Sequence, residues 1–125
     1  MKFTSENFYL VGGGGYGKQL EFMLKHDKII SSAKFVDDKL KFKIKNFLKI
    51  NKKIYFNITI SNIKIRERIY NLSKKKNLLY TTLILPFCNI YSKKIGKGCI
   101  IEHNTTIANN VSIGLGSFIF TGTNI

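Results

Sequence analysis

The sequence predicts an α/β protein in two parts, and two patterns carry that prediction. Near the N-terminus, the apolar run Phe8–Val11 leads directly into a glycine-rich segment and then into an amphipathic stretch. Further along the chain, isoleucine recurs every six residues, at Ile95, Ile101, Ile107, Ile113, Ile119 and Ile125. A length of 125 residues suits one typical domain or two small ones. We therefore expect one domain over residues 1–82 and a second over residues 83–125.

The first part has the order strand, glycine loop, helix and strand of a Rossmann-like βαβ unit. Phe8–Val11 is expected to be a buried strand, and the helix is expected to begin at Lys18. Glycines let a backbone approach a phosphate closely, and a helix N-terminus supplies N–H groups and a positive dipole end. The loop is formed by Gly12, Gly13, Gly14, Gly15, Tyr16 and Gly17.

A second strand, Lys34–Val36, ends in an acidic pair, Asp37 and Asp38. A carboxylate about 20 residues past such a loop can bond a ribose hydroxyl or a base. We therefore treat the glycine loop and both aspartates as candidate ligand-binding residues. The alternative interpretation is a tight turn followed by a solvated acidic pair.

The remaining elements of the first part are less regular. Tyr55–Ile60 is expected to be a third strand, and Ser61–Asn62 is expected to cap a helix that runs to about residue 75. Residues 79–84 are expected to form one further strand, and the basic stretch 39–53 predicts an irregular loop or a frayed helix. The apolar face of the second helix is predicted to consist of Ile65, Ile69 and Leu72.

The six-residue period of the second part fits neither a helix nor a lone strand, but it fits a β-helix. In that solenoid each short strand turns one aliphatic residue inward, and stacked coils bury a continuous column. The residues between the isoleucines suit turns, as in Gly96–Gly98 and Asn109–Asn110. Fewer than two full coils are expected in this stretch. The alternative is an ordinary strand region in an isoleucine-rich protein.

Composition excludes several classes of protein. The net charge is +14, but the lysines are spread along the chain among Ile and Asn, and the only arginines are Arg66 and Arg68. Base-reading proteins rely on Arg, so this pattern argues against nucleic-acid binding. No apolar run approaches a membrane span, and the N-terminus lacks a signal peptide's apolar core. Cys88 and Cys99 suggest neither a disulfide nor a metal site, so we expect a cytoplasmic protein without a metal.

Five short segments follow one another in an order found in a known family. They are Val11–Lys18, Phe35–Asp38, Ile60–Arg66, Leu83–Cys88 and Ile95–Ile101. Together they resemble the glycine loop, acidic strand end, Asn-containing segment, solenoid entry and hexapeptide coil of the NeuD/PglD-like bacterial sugar O- and N-acetyltransferases. The chain departs from that pattern at several positions. Tyr16 stands where His is frequent, Ser61 replaces Gly, Ile63 replaces Asn, and Leu85 and Phe87 replace His and Ser.

The resemblance implies a substrate, a co-substrate and an assembly. The first domain would bind a UDP- or CMP-linked sugar through the glycine loop, Asp37, Asp38 and Asn62. Residues 83–125 would be the incomplete start of a left-handed parallel β-helix that assembles as a homotrimer. Acetyl-CoA would lie along the β-helix between neighbouring subunits. A His general base would take a proton from the sugar's amine or hydroxyl as it attacks the thioester.

Three placements of that base remain open. In the first, Glu102–His103 supplies His103, but Asn104 stands where the family has an orienting acid. A second register places Asn109–Asn110 at the catalytic pair, and an amide cannot accept the proton. A third aligns Ile119–Ile125 with the run that precedes the family's catalytic His. We favour the third placement, which puts the base beyond the end of this sequence and predicts a truncated, catalytically impaired chain.

The sequence thus leads to one main hypothesis and two alternatives. The main hypothesis is an acetyl-CoA-dependent acetyltransferase that acts on a nucleotide-linked sugar in cell-surface glycan biosynthesis. The first alternative is a non-catalytic module that binds a nucleotide sugar. The second is a structural fragment that trimerises through its β-helix.

Overall fold

The computed structural model describes residues 3–74 and 76–125. The chain divides into two compact units, the first ending at Tyr80 and the second spanning Thr81–Ile125. Helices alternate with strands in the first unit, and the second contains only short strands and turns. All strand pairs in the described residues are parallel. The predicted mixed α/β class is therefore confirmed.

The first unit contains a four-stranded parallel sheet in the order β2-β1-β3-β4. Because parallel strands cannot be joined by hairpins, each of the three connections between these strands crosses over, and each contains a helix. The elements in chain order are β1 (Phe8–Val11), α1 (Gly15–His26), β2 (Lys34–Val36), α2 (Ile44–Phe47), β3 (Ile54–Ile58), α3 (Ile63–Ser73) and β4 (Leu78–Tyr80).

The core of this unit surrounds the two central strands. Every residue of β1 is buried, as expected for a strand with both faces covered. In β3 only Tyr55 is partly exposed. Aromatic rings fill the space between the sheet and α2, where the Phe47 and Phe56 rings lie 5.2 Å apart. These contacts make the sheet a rigid support for the loops at its carboxyl edge.

Four predictions for this unit need correction. Helix α1 begins at Gly15 rather than Lys18, so the glycine segment supplies its first turn. Helix α3 is capped by Asn62 as predicted, but it buries only Ile69 and Ser73, while Ile65 and Leu72 are 42% and 47% exposed. The helix therefore meets the sheet along a narrow stripe of positions four residues apart, and the two flanking residues lie beside that stripe.

The single strand predicted for residues 79–84 is also wrong. Leu78–Tyr80 pairs with β3, whereas Leu83–Ile84 is a separate strand, β5, that pairs within the second unit. An unbroken apolar run cannot reveal such a change of partner. The third strand ends at Ile58, two residues before its predicted end at Ile60. The stretch 39–53 contains the one-turn helix α2.

The second unit consists of two-residue strands separated by turns. They are β5 (Leu83–Ile84), β6 (Asn89–Ile90), β7 (Lys94–Ile95), β8 (Ile100–Ile101), β9 (Thr106–Ile107), β10 (Ser112–Ile113) and β11 (Phe118–Ile119). Each strand pairs with the third one along, which gives sheets in the orders β11-β8-β5, β6-β9 and β10-β7. Seven strands complete two rounds of three and begin another, so the expectation of fewer than two coils is wrong.

The recurring isoleucines form the apolar interior of this unit. Ile101, Ile107 and Ile119 are buried, and Ile95 and Ile113 pack against them. Ile125 is 45% exposed. The sequence analysis missed a second regularity, a small residue four positions after each isoleucine. These residues are Cys99, Thr105, Val111, Ser117 and Thr123.

The turns share one backbone feature three residues after each isoleucine. Gly98, Asn104, Asn110, Gly116 and Gly122 all have positive φ angles, between 58° and 78°. Glycine and asparagine tolerate this left-handed conformation best, which explains their period in the sequence. Phe87 occupies the corresponding turn after β5 with φ 65°, although its side chain is 79% exposed. A bulky residue is strained in this conformation.

Replacing Phe87 with Asn should stabilise the protein by about 1 kcal/mol, because the left-handed strain is relieved and few contacts are lost. Thermal unfolding followed by circular dichroism should show a melting temperature a few degrees higher. The reciprocal change Asn104→Phe is the matched control and should lower it by a similar amount. An unchanged or lower melting temperature for Phe87→Asn would contradict the presence of strain.

Candidate functional site

The glycine loop lies at the carboxyl end of β1, between the ends of its two neighbours. Gly12 has φ 121°, and its N–H donates to the carbonyl of Val36 at 2.7 Å. A Cβ on Gly12 would lie 2.6 Å from Thr59 Oγ1, and one on Gly17 would lie 2.1 Å from the Gly12 carbonyl oxygen. Glycine is therefore required at both positions by the packing of the loop itself.

Gly14 and Gly15 differ from these two glycines. A Cβ at either position would meet nothing within 4 Å. Gly14 is the N-cap of α1, where it offers no side-chain hydrogen bond, and the first turn of α1 contains no acidic residue. The N-terminus of a twelve-residue helix thus opens onto accessible space, with its positive dipole end uncompensated by a carboxylate. This arrangement suits an anionic group such as a phosphate.

Asp37 fixes the loop from the end of β2. Its Oδ2 accepts the Gly13 N–H at 2.9 Å, and its Oδ1 accepts the Lys39 N–H at 2.9 Å. These two hydrogen bonds, the one from Lys39 first, hold the pKa of the Asp37 carboxyl below its ordinary value of 3.8. The carboxylate therefore joins two loops while it remains ionised at neutral pH.

Thr59 is a loop-supporting residue that the sequence analysis did not identify. It directly follows β3 and is buried. Its N–H donates to the Val11 carbonyl and its hydroxyl donates to the Gly12 carbonyl, both at 2.8 Å. A polar residue at the carboxyl end of the strand beside β1 is the signal that could have identified it.

The other two predicted binding residues of this unit form turns. Asp38 Oδ1 accepts the Ile44 N–H at 3.1 Å, at the start of α2. Asn62 Oδ1 accepts the Ile65 N–H at 3.1 Å and so caps α3. Both residues follow strands of the same sheet, so they lie at the edge where the glycine loop is found. Tyr16, the remaining predicted residue, is half-buried in the first turn of α1.

An open cleft of about 660 Å³ adjoins the loop beside edge strand β2. Leu40 lines the cleft and also lies against the glycine loop, since a Cβ on Gly13 would be 2.7 Å from Leu40 Cδ1. The Lys34 ammonium lies 4.3 Å from the centre of the Phe42 ring within this cleft. The lining combines aromatic, cationic and amide groups, namely Lys34, Phe35, Leu40, Lys41, Phe42 and Asn46.

His103 belongs to the second unit, in the turn after β8, and is half-buried. Its carbonyl accepts the Gly122 N–H at 3.0 Å. The preceding residue, Glu102, is only 6% exposed, and its Oε1 accepts both the N–H and the hydroxyl of Thr121, at 3.1 and 2.9 Å. This carboxylate therefore joins the turn after β8 to the turn after β11.

The other two predicted placements of the catalytic base also correspond to turns of the second unit. Asn109 and Asn110 are exposed, and Asn110 occupies the left-handed position of its turn. Gly122 has the same role beside Thr121. The structure gives these residues a turn-forming role, and the position of the catalytic base stays a prediction.

Three further features concern metal ligands, membrane-spanning helices and the two cysteines. Within residues 3–74 and 76–125, no group of three His, Cys, Asp or Glu side chains could hold a metal ion. No helix in the same residues is long and apolar enough to cross a membrane. Cys88 and Cys99 are not joined in a disulfide, and each sulfur lies within hydrogen-bonding distance of a backbone carbonyl.

The fold is that of acetyltransferases of known structure. The acetyltransferase domain of PglB from Neisseria gonorrhoeae, solved with acetyl coenzyme A, matches with a TM-score of 0.79 and 17% identity over 95% of this chain and 63% of that chain. PerB from Caulobacter crescentus, solved with CoA and GDP-perosamine, matches with a TM-score of 0.70 and 17% identity over 95% of this chain and 62% of that chain.

A variant of the perosamine N-acetyltransferase of Caulobacter crescentus, also solved with CoA and GDP-perosamine, gives a TM-score of 0.70 and 17% identity over 95% of this chain and 62% of that chain. The TM-scores establish a shared fold, and at this low identity the match shows the fold alone. The chain spans less than two thirds of the length of these three structures. No protein-family model and no curated protein matches the sequence.

Replacing Asp37 with Asn should lower the free energy of unfolding by about 1–2 kcal/mol at neutral pH, because an NH₂ group would face one of the two N–H donors. Asp38→Asn is the matched control. It should cost less, since the amide oxygen can still accept the single N–H of Ile44.

The difference between the wild type and Asp37→Asn should depend on pH. A lowered folded-state pKa contributes stability above the unfolded value near 3.8, and this contribution is lost as the pH falls through the lower folded value. Urea denaturation from neutral pH to well below 3.8 should therefore show the gap narrowing. A gap that stays constant over that range would show that ionised Asp37 does not hold the loop.

Proposed function

We propose that this chain is an acetyl-CoA-dependent acetyltransferase of the NeuD/PglD-like type, which acts on a nucleotide-linked sugar in cell-surface glycan biosynthesis. The observation that carries the proposal is the open N-terminus of α1 at Gly14 and Gly15, fixed in position by Asp37 and Thr59. The shared fold supports it, because the neighbours in known structures were solved with acetyl coenzyme A, or with CoA and GDP-perosamine.

In this proposal the first unit is a Rossmann-like domain that binds the nucleotide. The phosphates lie against the N–H groups of Gly14 and Gly15, where the helix dipole favours negative charge. The adjoining cleft receives the base or ribose, with Phe35 and Phe42 as apolar walls and Asn46 as a hydrogen-bonding group. A UDP-, CMP- or GDP-linked sugar would fit this combination of groups.

The second unit is, on the same proposal, the start of a left-handed β-helix that assembles as a homotrimer. Acetyl-CoA lies along this β-helix, and the acetyl group passes to an amine or hydroxyl of the sugar. The acceptor attacks the thioester carbonyl, a base takes the acceptor's proton, and coenzyme A leaves as its thiol. Within residues 81–125 the candidate for this base is His103.

A second candidate function is nucleotide-sugar binding without catalysis. The hydrogen bonds described above that shape the glycine loop come from residues 11–59, within the first unit. Binding at this loop therefore needs the first unit alone, whereas the acetyl transfer proposed above also needs the second unit.

Replacing Gly14 with Asp should separate binding from folding. Gly14 has φ −78° and ψ −164°, which an aspartate N-cap can adopt, so stability should be unchanged or higher by a few tenths of a kcal/mol. The new carboxylate would occupy the phosphate position and repel it. Calorimetric titration with UDP-, CMP- and GDP-linked sugars should show at least about tenfold weaker binding of the preferred ligand.

Gly114→Asp is the matched control, because it makes the same charge change at another glycine whose Cβ would have room. It should leave nucleotide-sugar binding unchanged. Equal weakening by both substitutions, or no binding by the wild type at millimolar ligand, would rule out both proposed functions. Coenzyme A release, assayed in the wild type and in His103→Ala, then distinguishes the enzyme from the binding module.

A further inference from the structure

We propose that the first unit has a second anion site, a lysine-rich cleft that binds oligophosphate groups. The cleft lies at the opposite edge of the sheet from the glycine loop, where β3 and β4 begin. It has a volume of about 530 Å³, and its lining residues are Lys49, Ile50, Asn51, Lys74, Lys76 and Asn77.

Strand pairing brings the two sides of this cleft together. One side is the loop between α2 and β3, and the other consists of Lys74, Lys76 and Asn77, which lie between α3 and β4. The Ile54 N–H donates to the Asn77 carbonyl at 3.0 Å, which joins the loops where the paired strands start. Five residues of β3 separate this edge from the glycine edge, a distance of about 16 Å. The two sites are therefore distinct.

The charges around the cleft have one sign. Of the residues that the structure describes, three lysines and no carboxylate line it. Among the described residues, the contact between the His26 ring and the Asp27 carboxylate involves none of these lysines. The Lys74 ammonium additionally lies 5.0 Å from the centre of the Tyr70 ring, a contact that does not neutralise the ammonium charge. Three ammonium groups that share one cleft repel each other, and a multivalent anion would relieve that repulsion.

A purely structural role for the lysines accounts for only part of this charge. Lysines near helix C-termini compensate the negative end of the dipole, and both loops directly follow a helix. Each helix C-terminus carries at most roughly half a negative charge, and this also holds for α2, which has only four residues. Two such ends balance about one of the three lysines. Roughly two positive charges remain for a ligand.

The shape of the cleft favours a small phosphorylated ligand over a membrane or a nucleic acid. Two short loops form its walls, whereas a membrane surface or a duplex needs a broad, continuous basic face. The side-chain amides of Asn51 and Asn77 add directional N–H donors of the kind that bind phosphate oxygens. Inorganic tripolyphosphate, which carries several charges on a compact chain, is the appropriate probe.

The test uses two triple variants with the same change of net charge. K49Q/K74Q/K76Q removes the lysines of the cleft, and K93Q/K94Q/K97Q removes three exposed lysines of the second unit. Calorimetric titration with tripolyphosphate should show binding by the wild type that weakens about tenfold in the first variant. The second variant should bind within about twofold of the wild type, and added salt should weaken all binding.

NMR provides an independent location for the ligand. The amide signals of Asn51 and Asn77 should shift on addition of tripolyphosphate, and those of Gly14 and Gly15 should not. Unchanged thermal unfolding would show that the cleft variant is folded, and the single substitution Lys74→Glu serves as a milder variant with the same expected direction.

Several results would overturn the proposal. They are equal weakening by the two triple variants, absence of binding by the wild type at millimolar tripolyphosphate, and shifts confined to the glycine loop. Cleft-dependent binding of anionic vesicles or duplex DNA in place of tripolyphosphate would also overturn it. Nucleotide-sugar titration of K49Q/K74Q/K76Q should match the wild type, so failure of this proposal is distinguishable from failure of the proposed function.

Discussion

Parallel strand pairing is the constraint on which both units depend. Strands that run in the same direction cannot be joined by tight hairpins, so every connection must travel back along the sheet. In the first unit this return is made largely through helices, and in the second it is made by the other two strands of the same round. The same pairing collects the carboxyl ends of β1, β2 and β3 at one edge. Gly12, Asp37 and Thr59 meet there for that reason.

The contacts of Asp37 show how one carboxylate can serve both stability and function. Each of its oxygens accepts a backbone N–H, which keeps the carboxyl ionised and ties the glycine loop to the end of β2. The charge is therefore used within the protein, and the helix N-terminus beside it remains open to an external anion. A carboxylate placed at Gly14 would compensate that helix, and the site would lose its attraction for phosphate.

The sequence predicted those parts of the fold in which local chemistry and tertiary partners agree. β1 and β2 have the predicted bounds because each is a short apolar run that lies between clear turns. The six-residue period identified the strands of the second unit, since each one repeats the same environment. Asn62 was identified as a cap because its side chain acts on its own helix.

Other features depend on partners distant in sequence, and local patterns do not reveal them. Residues 79–84 look continuous, yet one end pairs with β3 and the other with β8. Leu72 lies on the apolar face predicted for α3, but the stripe of α3 that contacts the sheet is narrower than that predicted face. The lysines look scattered along the chain, and three of them converge only because β3 pairs with β4.

The glycines of the loop separate what the fold requires from what a ligand requires. Gly12 and Gly17 are explained by close contacts inside the protein, and any other side chain at these positions would clash with the backbone or with Thr59. Gly14 and Gly15 have no such neighbour. Glycine in the first turn of a helix lowers its stability, so packing alone gives no reason for Gly15. Asp, Asn or Ser would cap the helix better than Gly14 does. An anion that approaches the backbone closely does give a reason for glycine at both positions. This difference, seen within a single loop, is the strongest physical argument for a binding site at this edge of the sheet.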